Sequence, residues 1–200
     1  MPEVGGLVMI VRFNLLFLLI LSGCSFDPAK VKTELEGVWS TDCIKVSEKG
    51  FKESVQFHYN QLRRETVYFN DEACLSISHV DLIHEEFEIR GQAKHLTDSK
   101  KINSKLLKME RTYHSTEAAN IANERAVYSY SDWTALSAKP THDRVLGQED
   151  EKKTRNIHQV WHSIYHIAGN TLYLGDHFSK DGLSEENRAI SLSGREYVRQ

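Results

Sequence analysis

His158, His162 and His166 recur at every fourth position of the stretch HQVWHSIYH. On a helix that spacing stacks the rings one turn apart, as paired histidines stand in helical zinc sites. Ile157, Val160, Trp161, Ile164, Tyr165 and Ala168 add an apolar stripe at helical spacing. On a strand the same three histidines share a face, but each four-residue step covers ~13 Å, too far for two parallel rings to reach one metal at about 2 Å each. The β-branched and aromatic content favours the strand. No cysteine or carboxylate of motif spacing accompanies the histidines, so no metal and no cofactor is expected. They read as neutral side chains that line a barrel or face solvent, and in a lumen they would make binding pH-sensitive. Thr141-His142-Asp143 sets a histidine beside an acid but has no partnered nucleophile. GxSxG, HExxH and phosphate-cradling glycine loops are all missing. The expectation is a protein that is not an enzyme.

The cysteines carry a different chemistry. Cys24 ends the stretch MIVRFNLLFLLILSGC, which begins at Met9. One positive charge (Arg12), an apolar run from Leu15 to Leu21, and the small residues Ser22 and Gly23 are the parts of a secretory signal. The run is shorter than the roughly 20 residues that span a bilayer. Residues 1–8 carry Glu3 and are unlike the start of a signal, so Met9 reads as the better start.

Leu21-Ser22-Gly23-Cys24 resembles a bacterial lipobox. The resemblance implies diacylglyceryl modification of the Cys24 sulfur, cleavage before it, and acylation of the new amine. Two or more acyl chains anchor stably where one does not. The expected organisation is a lipoprotein signal peptide over 1–23, a lipidated tether over 24–34 and one domain over 35–200. Ser25 in place of Asp leans, by resemblance to known sorting rules, toward the outer membrane facing the periplasm in a Gram-negative envelope. A Gram-positive source would put the anchor on the outer face of the plasma membrane.

With Cys24 assigned to lipid, Cys43 and Cys74 remain. In an oxidising envelope an even pair reads as a disulfide, the alternative being two free buried thiols. No CxxC is present, which argues against thiol catalysis. Removing 1–23 from 200 residues leaves 177, enough for one domain with a proper core. The formal charge of −3 is near neutral and shows no basic stripe, which argues against a nucleic-acid partner.

The elements that must hold these residues read mostly as short antiparallel strands. Leu35, Gly37, Trp39, Thr41 and Cys43 alternate on one face; Val55, Phe57 and Tyr59 alternate with Ser54, Gln56 and His58. Glu65–Phe69 ends in turn chemistry at Asn70-Asp71, and Leu75/Ile77 and Phe87/Ile89 repeat the alternation. Lys105–Met109 fits either period. Residues 115–125 form a short helix behind good N-cap residues. Lys139–Arg155 is polar and reads as a long exposed loop. A hairpin turns at Gly169-Asn170, and Ala189–Arg199 closes the chain. The sum is an all-β fold, an antiparallel up-and-down barrel or a sandwich.

Gly37-Val38-Trp39 on the first strand is similar to the Gly-x-Trp start of lipocalins and related calycin barrels, and the whole resembles bacterial lipoproteins with a lipocalin-like domain and a cysteine just after the tryptophan. The resemblance implies that Trp39 closes one end of the barrel with an arginine of the last strand lying over it, Arg199 first and Arg195 in reserve. The chain departs from lipocalins in lacking a clear long C-terminal helix and in its insertion between Ser115 and Arg155. What the resemblance implies for function is a membrane-anchored envelope lipoprotein whose barrel binds a small apolar or amphiphilic ligand, lined by Phe57, Tyr59, Phe87, Trp161 and Tyr165. The alternative is a packed barrel in which the 139–155 loop contacts an envelope protein.

Overall fold

The computed structural model describes residues 32–144, 156–176 and 180–200. The leader, Cys24, Ser25 and most of the expected polar loop lie outside them. The elements in chain order are β1 (Gly37–Ser40), β2 (Ile44–Val46), β3 (Lys49–His58), β4 (Gln61–Phe69), β5 (Ile77–Gln92), β6 (Lys100–Tyr113), α1 (Thr116–Glu124), β7 (Ala138–Pro140), β8 (Val160–Ala168), β9 (Thr171–Leu174) and β10 (Tyr197–Arg199). The antiparallel path β1-β10-β9-β8-β6-β5-β4-β3 closes through a second pairing of β1 with β3, giving an eight-stranded barrel. β2 extends β1 along β3, and β7 extends β8 along β6.

Period-two alternation sets the inside face. On β3 it turns Phe51, Glu53, Val55 and Phe57 inward, opposite Tyr68, Thr66, Arg64 and Leu62 of β4. Tyr59 does not continue this alternation: β3 ends at His58, and Tyr59 takes φ 53° in the tight turn to β4. Its backbone N–H donates to Glu36 Oε2 at 3.0 Å, which helps hold a tyrosine in a left-handed conformation.

Lys105–Met109 is strand. A register shift opposite His84 and Glu85 leaves Leu107 as an extra residue, so Leu106 and Met109 both turn inward against Ile83. The bulge is what makes this segment fit a helical period. Lys139 and Pro140 belong to β7, not to a loop. The last segment is strand only from Tyr197; before it the chain runs irregularly along β8, with His162 N–H donating to Gly182 O at 2.7 Å.

α1 begins at Ser115, whose hydroxyl accepts from Ala118 N–H. The helix buries Ala119 and Ala122 in a second small core with Tyr113, Tyr128 and Trp133. Asn123 ties this insertion together, accepting from Trp133 N–H at 2.6 Å and donating to its carbonyl at 3.1 Å.

Candidate functional site

The barrel interior divides into a filled half and a charged half. The filled half is built from Leu35, Trp39, Val55, Phe57, Leu62, Phe87, Ile102, Tyr165, Leu172 and Tyr197, all buried in one cluster. Trp39 is fully buried and its indole N–H donates to Leu35 O at 2.7 Å. The guanidinium of Arg199 lies 4.2 Å from the Trp39 ring centroid and donates to Glu34 O at 2.7 Å. Arg195 is elsewhere, over the Phe51 ring and bonded to Glu53. Glu34 Oε1 also accepts from Tyr165 OH at 2.6 Å and from Lys100 Nζ at 2.5 Å. Burial and the adjoining carboxylate raise the Tyr165 pKa, so its hydroxyl stays a donor.

The expected ligand lining does not enclose one lumen. Phe57, Phe87 and Tyr165 are spent on packing, with Phe57 and Phe87 in edge contact at 5.1 Å. Trp161 is half-buried at an inward position of β8, opposite Ser104. Tyr59 and Phe87 do meet in one hollow of about 540 Å³ against β5 and β6, which Glu86, Glu88 and Lys105 make polar. Large aromatic rings at consecutive inward positions fill a barrel of this width before they can line it.

At the other end, inward residues of β3 to β6 meet the insertion around a chamber of about 350 Å³. Its walls are charged. Arg111 holds Asp81 with two hydrogen bonds of 2.6 Å. Glu53 accepts from Arg195 at 2.9 Å and from Tyr197 OH at 2.5 Å. Arg64 reaches Glu85 Oε2 only at 3.9 Å. Arg144 lies over the Tyr130 ring at 4.0 Å. Ile83 and Met109 supply an apolar wall. Nearby, His79 stacks on Tyr68 at 4.4 Å; burial, with Arg111 adding to it, pushes its pKa down to about 4.

This charged half was missed by the sequence reading, although a signal for it exists. Glu53 shares a face with Val55 and Phe57, and a charge on the apolar face of a strand marks a polar interior.

The other candidate residues are dispersed. His158 precedes β8 with φ 66°. His162 points out of the barrel beside Arg188 and Glu185, and His166 contacts Asp98 O at 3.1 Å. Among the described residues no three His, Cys, Asp or Glu side chains gather as a metal would require. His142 contacts the Met109 backbone, and Asp143 accepts from Ile157 N–H at 2.8 Å, so this pair staples the chain to its neighbours. Cys43 and Cys74 are joined in a disulfide that ties β1–β2 to the β4–β5 connection.

The fold and site thus define a closed eight-stranded antiparallel barrel, packed at one end and hollow and charged at the other. No protein-family model matches the chain, and no curated protein matches it either.

Proposed function

We propose that this chain is a cell-envelope lipoprotein, lipidated at Cys24, whose barrel is a binding module for a small amphiphilic molecule rather than an enzyme. The lipobox-like Leu21–Cys24 supports the anchor. The Cys43–Cys74 disulfide supports an oxidising compartment. The observation that carries the binding role is the division of the interior: the apolar half is filled apart from the polar hollow beside Tyr59 and Phe87, while the far half keeps a charged chamber of about 350 Å³, within the roughly 300–1,000 Å³ range of small-molecule sites. The ligand enters the charged end instead of the aromatic depth of the barrel.

Native mass spectrometry of the purified full-length chain tests the binding role. A reproducible small-molecule adduct, released on denaturation, is expected. A barrel that emerges bare from repeated preparations counts for the alternative, a packed barrel that contacts an envelope protein. For the anchor, Cys24→Ser should abolish lipid labelling and membrane association; retention in the membrane fraction would overturn that assignment.

A further inference from the structure

Four arginines, Arg64, Arg111, Arg144 and Arg195, line the charged chamber against two carboxylates, Glu53 and Asp81. Glu85 beside Arg64 makes three acids and leaves one positive charge in excess. The donors are unequally used. Arg111 gives two hydrogen bonds to Asp81, and Arg195 gives one to Glu53. Among the described residues the Arg64 guanidinium makes no hydrogen bond; Glu85 Oε2 stands 3.9 Å from it. Arg144 lies over the Tyr130 ring, gives one long hydrogen bond, 3.5 Å to Tyr128 O, and has no ion pair among the described residues.

Thr141 is the independent sign. It is 1 % exposed, lines the same chamber, and its hydroxyl has no hydrogen-bond partner among the described residues. A buried hydroxyl without a partner is destabilising, and that cost is removed if something in the chamber accepts from it. Glu85 Oε2, beside Arg64, is buried and has no hydrogen-bond partner among the described residues either, so Arg64 and Glu85 face each other without bonding. An anionic oxygen group in the hollow can accept from Arg64, Arg144 and the Thr141 hydroxyl together.

We propose that the chamber is an anion site that takes the carboxylate or phosphate head of a small amphiphile through Arg64, Arg144 and Thr141. This rests on the binding role proposed above and names its ligand class. Ile83 and Met109 give a short apolar tail a surface beside the head. A charge-assisted bond from a planar guanidinium suits either a carboxylate or a phosphate.

Calorimetric titration of the full-length chain with octanoate, octan-1-ol and inorganic phosphate tests the site. Octanoate should bind at least about tenfold more tightly than the alcohol, since bonds to charged groups are worth that much. Arg64→Gln and Arg144→Gln should each weaken octanoate about tenfold, and Thr141→Val roughly threefold. Arg64→Lys, which keeps the charge but not the fork, should recover part of the loss. Melting temperatures identify any variant that has lost its fold, and Arg144→Gln, which breaks no ion pair among the described residues, carries the test in that case. Phosphate binding that depends on the same arginines supports the site and makes the head alone the recognised group; phosphate binding indifferent to them counts against it. Equal binding of octanoate and octan-1-ol overturns the anion site and leaves the binding role standing. If no ligand binds and no adduct co-purifies, both fall.

Discussion

Trp39 and Arg199 sit opposite each other across the β1–β10 ladder, with the guanidinium carbon 4.2 Å from the indole centroid. The contact joins the first strand of the barrel to the last. β1 is also the strand that pairs with β3, so the seam of the sheet is held where this pair lies. Arg199 is exposed and Trp39 fully buried, so the cation covers the ring from the solvent side.

Arg199→Ala should lower unfolding stability by about 1–2.5 kcal/mol, the sum of an exposed cation–π contact and one hydrogen bond to a backbone carbonyl. Arg199→Lys should cost less, because an ammonium still sits over the ring. Urea denaturation followed by tryptophan fluorescence measures both. Equal stability of the alanine variant and the parent would mean the pair is decorative.

The disulfide end has its own constraint. A Cβ added at Gly50 would stand 2.6 Å from Cys74 Sγ and 3.1 Å from Cys43 Sγ. Gly50→Ala should therefore destabilise the oxidised protein by about 1–3 kcal/mol, as overpacking does. Removing the bridge with Cys43→Ala and Cys74→Ala should itself cost about 3–4 kcal/mol for a separation of 31 residues. In that background Gly50→Ala should lose most of its cost, because the sulfur atoms are gone and only the 3.2 Å approach to Asp71 O remains. Denaturation of the four proteins gives the coupling directly; additive effects would show that the clash lies elsewhere.

Much of the fold was legible because it rests on local rules. The alternation around Val55 and Phe57, the Ser115 cap and the Gly169-Asn170 turn each appear in the structure where the residues put them. The Cys43–Cys74 pairing followed from counting. Two features hid behind departures from period two. The extra Leu107 gave β6 a helical signature, and Tyr59 entered a left-handed turn that aromatic residues seldom adopt. The site was less legible for a further reason. Aromatic residues were expected to surround a ligand, yet aromatic bulk at successive inward positions packs against itself. The hollow half is lined by charged residues that pair across strands far apart in sequence, such as Asp81 with Arg111 and Glu53 with Arg195. No local pattern announces such pairs.

Phe57 separates filling from lining. It is 1 % exposed and packed among Trp39, Val55, Leu62 and Phe87 in the filled half. Phe57→Ala should cost about 3–5 kcal/mol, the usual range for an aromatic removed from a core. A wall residue of an open lumen would lose far less, since its inner face would already lack contacts. Urea denaturation again decides, and a loss below about 1 kcal/mol would contradict the packed interior.

His79 predicts the pH dependence near neutrality. Its ring lies between Tyr68 and Tyr113, at 4.4 Å and 5.5 Å. Burial first, and then the charge of Arg111, hold its pKa at about 4 against an ordinary 6.5. The unfolded chain therefore takes up a proton below about pH 6.5 that the folded barrel refuses. Stability should fall as pH drops from there toward about 4, and this contribution should then level off. His84, also lowered by burial, adds to the fall in the same direction. Glu185 acts in a lower window: the hydrogen bond from Arg188 helps hold its carboxyl at about 2 against an ordinary 4.5, so its contribution is complete above 4.5 and is lost below it. Urea midpoints taken from pH 7 down to pH 5 thus report mainly on the two histidines. His79→Phe keeps a ring between the tyrosines but cannot take a proton, so it should flatten most of that slope, with the remainder due to His84. A variant whose midpoints fall as steeply as those of the parent would show that the half-buried ring does not govern acid sensitivity.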